Sequence, residues 1–248
     1  MPAAIEITDL TKQYGKGGRA LQGLSLTVPT GEIFGFLGPN GAGKTTTIRI
    51  LLDFCSATSG TVQVFGGPPG HPETRRRIGY LPEVADYYDF LRAQELLRFY
   101  GQLCGMARRQ ITDAIPRVLD RVGLADTGKK RIAHFSKGMK QRLGLAQALL
   151  HDPDLLILDE PMSGLDPLGR RRVRDIIREL RDQGKTVFFS SHELSEAEMI
   201  ADTFAIVKDG RTRWQGTPAD IAGTGDTNLE RVFLQVISDD NTKTEGTE

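Results

Sequence analysis

The chain has 248 residues, 39% hydrophobic and 26% charged, which fits a globular protein with a full core, as one large domain or two small ones. Its 32 basic residues are matched by 32 acidic ones, so the basic excess of a typical nucleic-acid binder is missing. Two cysteines, Cys55 and Cys104, are too few for a disulfide framework and fit a reducing cytosol. No apolar run approaches the roughly 18 residues that cross a bilayer. The N-terminus, with Glu6 and Asp9, lacks a signal-peptide pattern, so a membrane role is expected only through a partner.

Ile5–Leu10 alternates and reads as a strand, followed by a glycine-rich turn at Gly15–Gly18. Leu21–Val28 alternates again, with Leu24, Leu26 and Val28 on one face. These two strands predict an antiparallel β-subdomain ahead of a parallel α/β core. Tyr14, the aromatic of the first loop, is read either as a stacking platform for a base or as a packing residue. Ile33–Leu37 is an apolar run that predicts a buried strand, and Thr46–Leu52 predicts a helix. Between them lies Gly38-Pro39-Asn40-Gly41-Ala42-Gly43-Lys44-Thr45, the G-x-x-x-x-G-K-[ST] phosphate loop, in the strand–loop–helix setting that the motif requires. Its glycines let backbone N–H groups approach phosphate oxygens, and the following helix points its positive end at the same anion. Lys44 reaches the β- and γ-phosphates, and the Thr45 hydroxyl is a ligand for Mg²⁺.

Thr61–Phe65 predicts a further strand, and the Arg75-Arg76-Arg77 run predicts a solvated helix face. Ile78–Leu81 is a short strand stopped by Pro82. Phe90–Gly105 carries helical apolar spacing in Leu91, Leu96, Phe99 and Leu103, as does Ile111–Val122. Together they predict a helical subdomain inserted at about residues 86–150. Ser136 is a candidate N-cap for a helix running to about Leu150. His151 beyond it reads as a C-terminal charge or an exposed polar residue. Leu155–Leu158 is a continuous apolar run, expected of a parallel strand buried on both faces, and it leads into Asp159-Glu160. Carboxylates at that end of a strand lie where α/β sheets place ligand chemistry. Asp159 suits Mg²⁺ and Glu160 suits an attacking water. Leu168–Leu180 predicts an amphipathic helix with Val173, Ile176, Ile177 and Leu180 as its apolar stripe. Thr186–Phe189 predicts a core strand leading to His192, and Lys208-Asp209-Gly210 is a hairpin signal. The polar tail from Ser238 onward is expected to be disordered.

Taken together, these motifs resemble the ATP-binding subunit of an ABC transporter, over about residues 4–235, and they occur in that family's order. Tyr14 matches the adenine-stacking aromatic, Gly38–Thr45 the phosphate loop, and Phe135–Met139 the LSGGQ signature. Leu155–Glu160 matches the Walker B strand, Ser163–Asp166 the D-loop, and His192 the switch histidine. The resemblance implies a P-loop NTPase α/β fold and an ATPase, with Glu160 and His192 catalytic. It implies ATP contacts from Tyr14, Gly38–Thr45, Thr46, Ser136 and Gly138, and Mg²⁺ contacts from Thr45, Glu83 and Asp159. It also implies a head-to-tail dimer with a second ATP-binding subunit, a homodimer or a close paralogue. A transmembrane permease would dock near Glu83–Leu91, holding the chain at the cytoplasmic face of the membrane. Tyr87, Tyr88, Phe90 and Leu91 are read there either as groove lining or as subdomain core.

The sequence departs from the family pattern at three positions. Lys137 stands for a signature glycine and Met139 for its glutamine, while Glu83 occupies the Q-loop glutamine position. The Leu-Pro-Glu triplet, Ser-Lys-Gly-Met-Lys-Gln-Arg and the late Leu229–Leu234 segment look like the ABC-2 exporter branch. The alternative is a soluble ABC-type ATPase acting on nucleic acid or ribosomes, which predicts coiled-coil insertions, a second cassette or a basic stripe. A P-loop kinase or GTPase would lack the Ser136–Gly138 and His192 motifs.

Overall fold

A computed structural model describes residues 3–15, 17–223 and 229–238. In chain order the elements are β1 (Ala3–Gln13), β2 (Arg19–Pro29), β3 (Ile33–Leu37), α1 (Lys44–Leu51), β4 (Ser59–Val64), α2 (Pro72–Arg76), β5 (Ile78–Leu81), α3 (Ala93–Leu103), α4 (Arg108–Arg121), α5 (Lys137–Leu149), β6 (Leu155–Asp159), α6 (Pro167–Asp182), β7 (Thr186–Ser191), α7 (Leu194–Ile200), β8 (Thr203–Lys208), β9 (Arg211–Gly216), α8 (Pro218–Gly223) and α9 (Leu229–Ser238). They fall into two compact units. One takes the chain up to His71 and again from Ser190 onward; the other is Pro72–Phe189. Past Ser238, which closes α9, the expected tail lies outside the described residues.

In the first unit β1 pairs antiparallel with β2, as its alternation predicts, but it also pairs antiparallel with β4 on its other edge, with Ile5 opposite both Val28 and Val64. The antiparallel sheet therefore has three strands, in the order β2-β1-β4. Every residue of β3 is buried, and β3 pairs in parallel with β8, Phe34 opposite Thr203 and Leu37 opposite Ile206. β8 turns back antiparallel into β9 through Asp209 (φ 51°) and Gly210 (φ 69°), two consecutive left-handed residues of the kind that suits a tight hairpin. The Gln215 side chain joins the two sheets: its Nε2 donates to Thr27 O at 2.8 Å, and its Oε1 accepts from Thr27 N at 3.4 Å.

In the second unit β5 pairs in parallel with β6, Ile78 opposite Leu155 and Leu81 opposite Leu158, and β6 lies between β5 and β7. All five residues of β6 are buried, which is why its sequence is continuous rather than alternating. Helices α3, α4 and α5 occupy the predicted helical stretch. The buried face of α3 differs from the expected one. Ala93, Leu96, Leu97 and Gly101 face inward, while Phe99 is 44% and Leu103 67% exposed. Gly101 explains the rotation: a Cβ there would stand 2.8 Å from Ile111 Cγ1, so α4 packs onto the one position of α3 without a side chain. The α6 stripe of Val173, Ile176, Ile177 and Leu180 is buried as predicted. His151 is not a surface charge. Its Nε2 donates to Ile78 O at 3.1 Å, and burial lowers its pKa, so the neutral ring ties the end of α5 to β5.

Candidate functional site

The phosphate loop belongs to the first unit. Leu37 ends a fully buried strand and Gly38 is buried with it, whereas Pro39, Asn40 and Gly41 are exposed. Ala42, Gly43 and Lys44 turn back into the protein. The loop rests on two supports that local sequence does not announce. Ala42 O accepts from Gly210 N at 2.9 Å, and Gly210 O accepts from Gln22 N at 2.8 Å, so the β8–β9 turn lies under the loop and is itself tied to β2. Gly43 has φ 107°, and a Cβ on it would stand 2.7 Å from Leu21 Cδ2 and 2.9 Å from Ala20 O. Only glycine fits that position.

As the N-cap of α1, Gly43 offers no side-chain acceptor to the first turn. The N–H groups there, at the positive end of the helix dipole, are left for an external anion. Lys44 is only 7% exposed, and its ammonium donates to Gly38 O at 2.6 Å and Pro39 O at 3.4 Å. A buried ammonium requires acceptors, and phosphate oxygens are stronger ones than these carbonyls. Thr45 is exposed and Thr46 half-buried, and the Thr47 hydroxyl fastens the first turn by donating to Gly43 O at 3.0 Å.

Tyr14 is 45% exposed, and its position is fixed from two sides. The Lys12 ammonium sits 4.9 Å from its ring centroid and donates to Ser56 O at 2.6 Å, and its hydroxyl lies 3.7 Å from Cys55 Sγ. It is therefore both packed and available for stacking. His192 is exposed between β7 and α7. The backbone around it is held by Ser191, whose Oγ accepts from Glu193 N at 2.9 Å and donates to Glu193 O at 3.2 Å.

The second unit holds the remaining candidates. Asp159, 2% exposed, ends β6, and Glu160, 8% exposed, follows it with φ 51°. A left-handed glutamate costs on the order of 1–3 kcal/mol and persists only where the surroundings enforce it, typically at a functional site. Here Glu160 O accepts from Ser163 N at 3.1 Å and from Gln141 Nε2 at 3.5 Å. Gln141, 3% exposed, belongs to none of the site motifs of the sequence. Its signal was a polar residue four positions before buried Leu145, on the inward face of α5.

Ser136 caps α5, its Oγ accepting from Met139 N at 3.2 Å; it is exposed and Gly138 is half-buried. Glu83 is exposed and lines a groove of about 360 Å³ with Asp86, Lys137 and Lys140. The neighbouring aromatics divide between the two readings given to them. Tyr88 and Phe90, 62% and 67% exposed, form a surface pair with ring centroids 5.7 Å apart. Tyr87 turns inward, its buried hydroxyl without a hydrogen-bond partner among the described residues, and desolvation, with Tyr100 nearby, raises its pKa.

Residues 21–163 match the family model described as ABC transporter. The chain belongs to that family. A protein of Synechocystis sp. named as an uncharacterised ABC transporter ATP-binding protein is 46% identical over 227 residues, covering 88% of this chain and 64% of the relative. This chain thus spans a little under two thirds of that relative's length. The bacitracin transport ATP-binding protein BcrA of Bacillus licheniformis is 46% identical over 214 residues, 85% of this chain and 69% of BcrA. Among solved structures, one described as the ATP-binding subunit of an ABC transporter superposes with a TM-score of 0.84 at 30% identity, covering 95% of this chain and all of the other. The ABC assignment accounts for the fold: an α/β P-loop NTPase with a parallel sheet and an antiparallel β-subdomain. Among the described residues no helix of this ABC protein is long and apolar enough to cross a membrane.

Proposed function

We propose that this ABC protein binds and hydrolyses MgATP to power export through a membrane partner. The observation that carries the reading is the buried ammonium of Lys44, turned onto the carbonyls of a loop whose helix has no side-chain cap. Such a loop is an anion cradle with its counter-charge built in. In this reading Gly38–Thr45 and Thr46 hold the triphosphate, and Tyr14 stacks on the adenine. The Thr45 hydroxyl and the Asp159 carboxylate are hard oxygen donors of the type that Mg²⁺ takes beside phosphate oxygens, and Glu83 is a further one. Glu160 orients and polarises the attacking water, and His192 faces the γ-phosphate. Ser136 and Gly138 contact the nucleotide of a second ATP-binding subunit, identical or paralogous, so that bound ATP closes a head-to-tail dimer and hydrolysis reopens it.

The surface pair Tyr88–Phe90 suits a permease docking near Glu83–Leu91, which would hold the chain at the cytoplasmic face. Export rather than import is supported by the Ser-Lys-Gly-Met-Lys-Gln-Arg segment. Likeness to BcrA, named for bacitracin transport, supports a transporter role. The reaction is tested with Glu160→Gln. Turnover should fall by about two orders of magnitude or more, the scale of positioned acid–base catalysis, while MgATP still binds and an ATP-bound dimer accumulates on sizing columns. Wild-type turnover in that variant would sink the assignment. Co-purification with a membrane subunit tests the partner.

A further inference from the structure

The start of α5 and the turn that follows Glu160 touch within one chain. A Cβ built on Gly138 would stand 3.3 Å from Leu165 Cδ2 and 3.7 Å from Gly164 O. One built on Gly164 would stand 2.7 Å from Lys137 Cε, 2.8 Å from its Cδ and 3.1 Å from its Nζ. The Lys137 stem thus lies flat on the Gly164 backbone. Gly164 is exposed, with φ 71°, and lies between two turn bonds, Ser163 N to Glu160 O at 3.1 Å and Leu165 N to Met162 O at 3.3 Å, while Leu165 O also accepts from Arg170 Nε at 3.4 Å. Among the described residues no ion pair or hydrogen bond engages the Lys137 ammonium, so the contact is made by methylenes and not by charge. The glycine usual at position 137 in this family's signature has no stem to offer.

We propose that Lys137 is a positioning residue that braces the Ser163–Leu165 turn against the start of α5. The Ser136–Gly138 segment and the Glu160 end of β6 then shift together. The inference rests on the roles proposed above for Ser136 and Glu160. If Ser136 and Gly138 meet the partner's nucleotide while Glu160 serves this chain's own, the Lys137 stem is a mechanical link between two ATP sites. Gln141, four residues along α5 and donating to Glu160 O, is a second strut of the same link.

The test compares Lys137→Ala, which removes the stem, with Lys137→Met, which keeps it without the charge. Amide exchange is read first, in nucleotide-free protein. Lys137→Ala should speed exchange at Ser163 and Leu165 by about fivefold or more, as expected when a local opening becomes easier, and Lys137→Met should not. Turnover is read second. Lys137→Ala should lower kcat about tenfold, the scale of a slightly misplaced catalytic group. It should also flatten the cooperative dependence on ATP, with the MgATP dissociation constant unchanged. Lys137→Met should restore both. Wild-type protection in Lys137→Ala overturns the brace, and Lys137→Met as impaired as Lys137→Ala assigns the effect to charge and overturns it equally. If the wild-type chain hydrolyses no ATP, the functional reading fails, while the exchange result still decides whether Lys137 braces the turn.

Discussion

Two loops of this ABC protein lead into helices and carry a glycine and a hydroxyl residue on either side of a lysine, yet they prepare their helix ends in opposite ways. Gly43 leaves the first turn of α1 without a side-chain acceptor. Ser136 gives the first turn of α5 one, its own Oγ, at 3.2 Å from Met139 N. The phosphate loop is bedded on Leu21, Ala20 and the Gly210 turn, with Lys44 buried in it; the Ser136 segment is exposed and carries its cation, Lys137, on the outside. An uncapped, buried helix end with a built-in ammonium takes an anion by itself. A capped, exposed one is already satisfied and adds a contact only when an anion is presented to it.

The strongest test of that contrast is Lys44→Ala. It removes a charge-assisted contact worth about 1.5–3 kcal/mol, so the MgATP dissociation constant should rise roughly 10- to 100-fold in a calorimetric titration. An unchanged constant would mean that the phosphate loop is not self-sufficient. Ser136→Ala should act on the other side of the contrast. Loss of an N-cap costs about 1 kcal/mol and should lower Tm by roughly 2–4 °C. The MgATP dissociation constant of dilute, monomeric protein should stay where it was; a rise as large as that of Lys44→Ala would erase the distinction between the loops. The smallest effect is expected from Glu83→Gln. A carboxylate beside Mg²⁺ favours the metal and, without it, repels nucleotide, so wild-type binding of ATP should depend more steeply on Mg²⁺ than that of the variant. Superimposable Mg²⁺ titrations would leave Glu83 as a solvent-facing loop residue.

The strand–loop–helix course of residues 33–45 and the strand of residues 155–159 could be read directly from the chain because their signals are local. A buried parallel strand needs an unbroken apolar run, a phosphate cradle needs glycines at set spacing, and both constraints act within a dozen residues. The β8–β9 hairpin and the α6 stripe were legible for the same reason, one through turn residues and the other through helical period. What could not be read was which distant segment each element meets. β4 gives a strand signal, but nothing in it names β1 as its neighbour; that choice depends on β1 having a second hydrogen-bonding edge that β2 leaves open. The Gly210 turn reads as a hairpin, not as the floor of the phosphate loop. Apolar spacing in α3 admits more than one inward face, and the absent side chain of Gly101 selects the one that Ile111 fills. Tyr87 and Tyr88 are adjacent and chemically identical, yet the Tyr87 hydroxyl is buried against α5, 2.8 Å from where a Cβ on Gly144 would stand, and the Tyr88 ring lies on the surface. Short-range pattern specifies the elements and the reactive groups they carry. Close packing, which only the assembled chain can satisfy, selects their partners and so the strain at Glu160 and the brace on Gly164.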